Sequence, residues 1–346
     1  MPAKGEMMKK ILYILIAVLV LGVFAWAWQD KVSRDNASKE LQPVSLALDW
    51  TPNTNHTGIY VAKANGWYRD QGIDLKILPY SDSTSSDVLV ATGKADTGIG
   101  FTEYIVADAA VGSQVVSLAA IIAHNTSVIA VRQDSGITSP KQLDGKTFGG
   151  FGAPYEKAVM GQVIKNAGGA GNFNTVTVNT SPLQALKDKV IDFVWVFEGW
   201  EGLQAKREGL ALTTFDLRDY GIPDYSTPNI ISSPKTIEQK PELLKRFMAA
   251  TVKGYEYARR NPEESARLLI ENTPPATFAD RELVYESQRF LSPLYQDPGL
   301  AWGVQDPSYW RAYPQFMLDK KTVLDASGDP VDSLNFSSLF TNEFLP

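Results

Sequence analysis

The run Asp49-Trp50-Thr51-Pro52-Asn53-Thr54-Asn55-His56-Thr57-Gly58 places an indole, a carboxylate, two asparagines and one of the chain's two histidines within ten positions. It follows the apolar stretch at 44–48, which reads as a strand. The C-terminal ends of strands are where open α/β sheets receive ligands. Trp50 offers a flat face for stacking, while Asp49, Asn53 and His56 offer short donors and acceptors suited to a ring edge. The same residues also suit an elaborate strand-to-helix turn capped by Thr54 or Asn55.

A second constellation, Trp195-Val196-Phe197-Glu198-Gly199-Trp200-Glu201, ends an apolar strand in two carboxylates interleaved with aromatics. Glu198 or Glu201 could accept hydrogen bonds from an amino-substituted heterocycle. Glu201 equally fits a first-turn acid favoured by a helix dipole, and Trp195 fits a core position. A pair of carboxylates also raises glycoside hydrolysis, but no separation can be read from spacing alone.

The third, Phe148-Gly149-Gly150-Phe151-Gly152-Ala153-Pro154-Tyr155-Glu156, is a glycine-rich turn before a proline-opened helix. Its backbone N–H groups would face an anionic or acceptor group, though a tight strand-to-helix turn explains it as well. It lacks the Gly-Lys-Ser/Thr of a P-loop and the GxGxxG of a dinucleotide site. Phe101-Thr102-Glu103, His124-Asn125-Thr126-Ser127 and Asp224-Tyr225 also follow strand or crossing signals and could line the same cleft. No Ser/His/Asp set, nucleophile elbow or metal-ligand spacing stands out. We therefore expect no catalytic residues, no metal and no cofactor.

These segments need a scaffold that brings strand ends together. The chain has 346 residues, 44% hydrophobic and 21% charged, which suits two globular lobes. The formal net charge of −6, without a large basic cluster, argues against a nucleic-acid partner. Cysteine is absent, which excludes disulfides, thiol catalysis and a lipidated N-terminal cysteine. Lys4, Lys9 and Lys10 precede an uncharged apolar segment at 11–28. Residues 1–28 read either as a signal peptide with Ala25-Trp26-Ala27 at its cleavage site or as an uncleaved membrane anchor. Either way, 29–42 reads as a polar linker and everything beyond lies outside the cytoplasm.

From residue 44 onward, strand and helix signals alternate. Strands are predicted at 44–48, 73–78, 96–100, 146–149, 175–179 and 191–197, and further apolar runs lie at 115–123 and 127–131. Helices are predicted at 57–65, 83–92, 102–111, 154–166, 182–189, 241–260, 262–272, 279–291 and 307–318. The rhythm predicts mostly parallel sheets covered by helices. One α/β unit is inserted in another: 43–131 with 228–346 forms lobe 1 and 132–227 forms lobe 2. The crossings fall near 131–133 and 225–229, and two sequential domains without a hinge remain the alternative.

The stretch Leu46-Ala47-Leu48-Asp49-Trp50-Thr51-Pro52-Asn53-Thr54-Asn55-His56-Thr57-Gly58 resembles the opening motif of the thiamine-pyrimidine family of solute-binding proteins and fungal synthases. The resemblance continues through 124–127, 149–152 and 195–200 to the closing Leu339-Phe340-Thr341-Asn342-Glu343-Phe344-Leu345-Pro346. It implies a type II periplasmic-binding-protein fold, an α/β fold of two hinged lobes with a helical C-terminal region. It also implies a planar heteroaromatic ligand, an aminopyrimidine or riboflavin, delivered to the permease and ATPase subunits of an ABC importer. Carried over, Trp50 and Tyr225 would be stacking faces and Glu198 or Glu201 the ring-edge partner. Asp49, Asn53, His56, Asn125, Trp195 and the loop residues Gly150, Phe151 and Gly152 would complete the ligand site. The synthases use a cysteine-rich segment, which this chain lacks, so an enzyme is the disfavoured alternative.

Overall fold

The computed structural model describes residues 41–346 apart from Asp82 and residues 179–181. The apolar segment at 11–28 and nearly all of the expected linker lie outside the described residues. Among the described residues, no helix is long and apolar enough to cross a membrane.

The strands are β1 (Gln42–Ala47), β2 (Ile73–Leu78), β3 (Thr97–Gly100), β4 (Val116–Ala120), β5 (Ser127–Arg132), β6 (Thr147–Gly150), β7 (Asn174–Thr177), β8 (Phe193–Phe197), β9 (Leu212–Asp216) and β10 (Asn229–Ser232). The helices are α1 (Thr57–Ala64), α2 (Trp67–Asp70), α3 (Ser86–Ala91), α4 (Thr102–Ala110), α5 (Pro154–Asn166), α6 (Pro182–Lys187), α7 (Leu203–Arg207), α8 (Pro234–Gln239), α9 (Pro241–Arg260), α10 (Pro262–Glu271), α11 (Arg281–Leu291) and α12 (Tyr309–Asp319). The helices of the long C-terminal stretch open well: proline starts α9 and α10, and Asp280 caps α11 through the N–H groups of Glu282 and Leu283.

Two five-stranded sheets result, in the orders β2-β1-β3-β10-β4 and β7-β6-β8-β5-β9. The second is built wholly from residues between two strands of the first, β4 and β10. The sheets are mixed rather than mostly parallel. β1 runs parallel to β3, and β6 parallel to β7 and β8, but β10 is antiparallel to both neighbours and so is β5. The reason is topological: β5 and β10 are each entered straight from a crossing, so each runs away from the edge where its parallel neighbours end. The outward crossing lies at 121–126, ahead of the expected 131–133, because Ser127–Arg132 already pairs with β8 and β9. The return occupies 217–228.

One buried apolar cluster fills the first lobe beneath α1 and α9, with Leu46, Ile59, Phe247 and Tyr255 among its members. There α1 and α9 meet almost backbone to backbone. A Cβ on Gly254 would stand 2.0 Å from the Gly58 carbonyl oxygen, and one on Gly58 would stand 2.3 Å from the Tyr255 ring. A second cluster spans both sheets, joining Ala47 and Ile231 to Ile129 and Phe193 and including Tyr225, Trp310 and Tyr313. The C-terminal helix α12 thus packs against the junction of the two lobes.

Candidate functional site

The first loop is wired to itself. Asn53 caps a short 3-10 turn, Thr54–His56, by accepting from the Asn55 N–H at 2.9 Å. The Asn53 N–H in turn donates to Nδ1 of His56 at 3.2 Å. The ring proton therefore resides on Nε2, which donates to Asp49 at 2.8 Å. His56 is fully buried and the Asp49 side chain is 4% exposed. Asp49, Asn53 and His56 thus spend these polar groups on bracing the turn. Three distant side chains anchor the loop from behind. Tyr255 donates to the Asn55 carbonyl at 2.6 Å, Tyr295 donates to the Thr54 carbonyl at 2.7 Å, and Ser287 bonds Thr54 Oγ1.

Trp50 remains partly exposed. Its ring lies 4.7 Å from Tyr80 and 6.4 Å, edge to face, from Phe151 of the second lobe. The structure therefore brings Trp50 and Phe151 together across the cleft, with Phe151 52% exposed. Two further aromatic pairs join the lobes: Phe101 with Phe197 at 6.4 Å and Tyr104 with Tyr155 at 6.0 Å. Nothing local in the sequence distinguishes Tyr80 and Tyr104 from other surface or core tyrosines, whereas Tyr155 lies within the glycine-rich constellation.

In the glycine-rich loop the N–H groups of Phe151, Gly152 and Ala153 do converge, but the Glu156 carboxylate receives all three, at 3.0, 2.8 and 2.9 Å. The expected open anion site is already filled. Gly150 permits this, since a Cβ there would stand 2.8 Å from a Glu156 oxygen. A glutamate three positions past the N-cap is the signal that could have revealed the arrangement.

β8 ends in a single π-turn, Glu198–Gly202. Glu201 accepts from the Phe197 N–H at 3.1 Å, which commits one of its oxygens. Glu198 is half-buried, and its carboxylate makes no hydrogen bond or ion pair to another described residue. Burial pushes both carboxyls above the ordinary value, with Asp216 adding to the rise at Glu198. The turn is pinned from below by Ser287 on α11, whose hydroxyl donates to the Gly199 carbonyl. Ser287 therefore links the first loop to this turn in one chain, from Thr54 through Ser287 to Gly199. Trp195 donates its indole N–H to Ser127 at 2.6 Å, and Ser127 in turn donates to the Asn125 side-chain oxygen at 2.7 Å. The Asn125 amide nitrogen has no partner among the described residues.

Tyr225 does not offer a stacking face. It is buried, its ring lies 3.7 Å from Tyr313 and nearly parallel to it, and its hydroxyl donates to Glu103. Glu103 is buried too. Burial raises its carboxyl above the ordinary range, and its second oxygen has no partner among the described residues. At the crossings, Asp224 accepts from the backbone of Asn125 and Tyr225 and from His124 at 2.6 Å, while Asp297 holds the other ring nitrogen of His124 at 2.7 Å. Burial alone would lower the His124 pKa, but the two carboxylates outweigh it and the net shift is upward.

Two nested α/β lobes facing each other across an aromatic cleft define a periplasmic-binding-protein fold. The crystal structure of the periplasmic aliphatic sulphonate binding protein SsuA from Escherichia coli superposes with a TM-score of 0.64 at 12% identity, covering 84% of this chain and 90% of that one. The sequence narrows the class further. Residues 53–265 match the NMT1/THI5 like family, and the chain belongs to it. The formylaminopyrimidine-binding protein of Halalkalibacterium halodurans is 28% identical over 309 residues, 87% of this chain and 90% of the relative. Riboflavin-binding protein RibY of Chloroflexus aurantiacus is 26% identical over 324 residues, 90% and 88%. A 4-amino-5-hydroxymethyl-2-methylpyrimidine phosphate synthase of Legionella pneumophila is 28% identical over 318 residues, 88% and 92%.

Proposed function

We propose that this protein is the extracytoplasmic binding component of an ABC importer and captures a planar heteroaromatic vitamin or vitamin precursor between its lobes. The carrying observation is the aromatic cleft in which Trp50 on the first lobe faces Phe151 on the second. The two rings meet edge to face at 6.4 Å, so a flat ligand ring would enter as the lobes part and stack on the Trp50 face, with a few directed polar groups supplying orientation. Glu198 is the ring-edge partner in this reading, because Glu201 is committed to its own backbone turn and Glu198 is not. A carboxyl group there meets an amino-pyrimidine edge with paired hydrogen bonds. Asn125 contributes a second donor near the crossings. Closure about 121–126 and 217–228 would signal occupancy to the permease.

Binding rather than turnover is supported by the first loop. Both ring nitrogens of His56 are engaged within the protein, and the chain has no thiol. Titration of the purified protein with riboflavin, thiamine and aminopyrimidines, followed by intrinsic tryptophan quenching, tests the proposal. Saturable quenching by one of them is expected. No binding by any of them, together with turnover of a substrate, would contradict it.

A further inference from the structure

The loop ahead of α5 has the form of an anion cradle, with three consecutive backbone N–H groups converging at the N-terminus of a thirteen-residue helix. In this chain the cradle is filled by the chain's own Glu156, which is 5% exposed and spreads both oxygens over the three donors. The loop stands on the cleft wall, since Phe151 faces Trp50 and Tyr155 lies edge-on to Trp195 at 6.1 Å. Two further carboxyl groups, Glu198 and Glu201, stand in the turn that ends β8. The basic side chain that acts on Glu198, Arg218, is bound by two donors to Asp216.

We infer that Glu156 sets the charge class of the ligand, so that the cleft accepts an unesterified, neutral or protonatable amino heterocycle and rejects its phosphate ester. An entering anion would find the three amide donors already taken by a carboxyl group of the chain itself, with no other donor set converging there to replace them. A ring that donates hydrogen bonds or carries a proton meets no such penalty. This inference rests on the functional reading above and narrows it from a shape to a charge.

Two matched pairs test it on the full chain: 4-amino-5-hydroxymethyl-2-methylpyrimidine against its phosphate ester, and riboflavin against its 5′-phosphate. Whichever parent binds, its ester is expected to bind at least about 100-fold more weakly. In Glu156→Gln the gap should shrink to roughly tenfold or less, because the amide donors lose their charged occupant. High salt should narrow the wild-type gap in the same direction, a readout that stands even if the variant fails to fold. Ester and parent binding within threefold of each other would overturn the role of Glu156 while leaving ligand capture intact. A gap unmoved by both salt and the substitution would also overturn it, since steric exclusion alone behaves so. Binding of neither parent would instead overturn the functional reading itself.

Discussion

The loops at 49–58 and 149–156 occupy equivalent places, each after a strand and before a helix on its own side of the cleft. Both look rich in free polar groups as sequence, and both have spent those groups internally. They differ in how. The first loop closes a neutral histidine bridge onto a buried aspartate and is held by Ser287, Tyr255 and Tyr295 from the far end of the chain. The second is held locally, by one carboxylate from its own helix. What each leaves over is an aromatic ring, Trp50 and Phe151, and these meet. Polar residue types in such loops thus report the rigidity of the wall, while the leftover rings mark the contact surface.

The contrast predicts that distant substitutions disturb the first loop and spare the second. Gly254→Ala should have the largest effect, because its methyl group overlaps the Gly58 carbonyl and forces α9, with Tyr255, away from the loop. A loss of about 3 kcal/mol in denaturant unfolding is expected. A stability unchanged within error would show that the helices part freely and that the long-range anchoring is unimportant. Ser287→Ala should cost about 2 kcal/mol, because two buried partners, Thr54 Oγ1 and the Gly199 carbonyl, each lose a hydrogen bond. Ligand affinity should fall with it, since both cleft walls hang on that hydroxyl. If affinity survives while stability drops, Ser287 serves the fold alone.

The smallest effect belongs to the junction between the two regions. His124 is bonded to Asp224 and Asp297, with Tyr309 beside the ring and Arg218 3.7 Å from Asp224. Its pKa is raised in the folded protein. Its contribution is therefore complete below the unfolded value of about 6.5 and is lost as pH climbs through the folded one. The gap in melting temperature between wild type and His124→Gln should be widest near pH 5.5 and close toward pH 9. A gap independent of pH would mean that His124 is held as a neutral ring.

Much of the scaffold was legible from local pattern. The helices Pro154–Asn166 and Pro241–Arg260 coincide with their predicted bounds, since proline marks their starts and the apolar spacing runs unbroken. β9 was missed. Leu212-Thr213-Thr214-Phe215-Asp216 is an edge strand with one buried residue, and its partner β5 lies far upstream. Strand direction was also illegible, because it depends on where the chain crosses between lobes. At the site, the aromatic character of Trp50 and Phe151 could be read directly. The loss of Tyr225 to stacking on Tyr313, the engagement of His56 by Asp49 and the filling of the glycine loop by Glu156 could not. Each depends on which neighbour reaches a polar or aromatic group first, and the fold decides that.

The central claim, that a ligand is held between the first loop's indole and the second lobe, is tested most directly by titrating Trp50→Ala against wild type with the ligand that quenches best. The substitution removes a partly exposed ring that touches only Tyr80 and Phe151 among the aromatic contacts of the described residues. Affinity should fall at least roughly tenfold, about 1.4 kcal/mol, with the melting temperature unchanged. An unaltered affinity would place the ligand elsewhere and contradict the account.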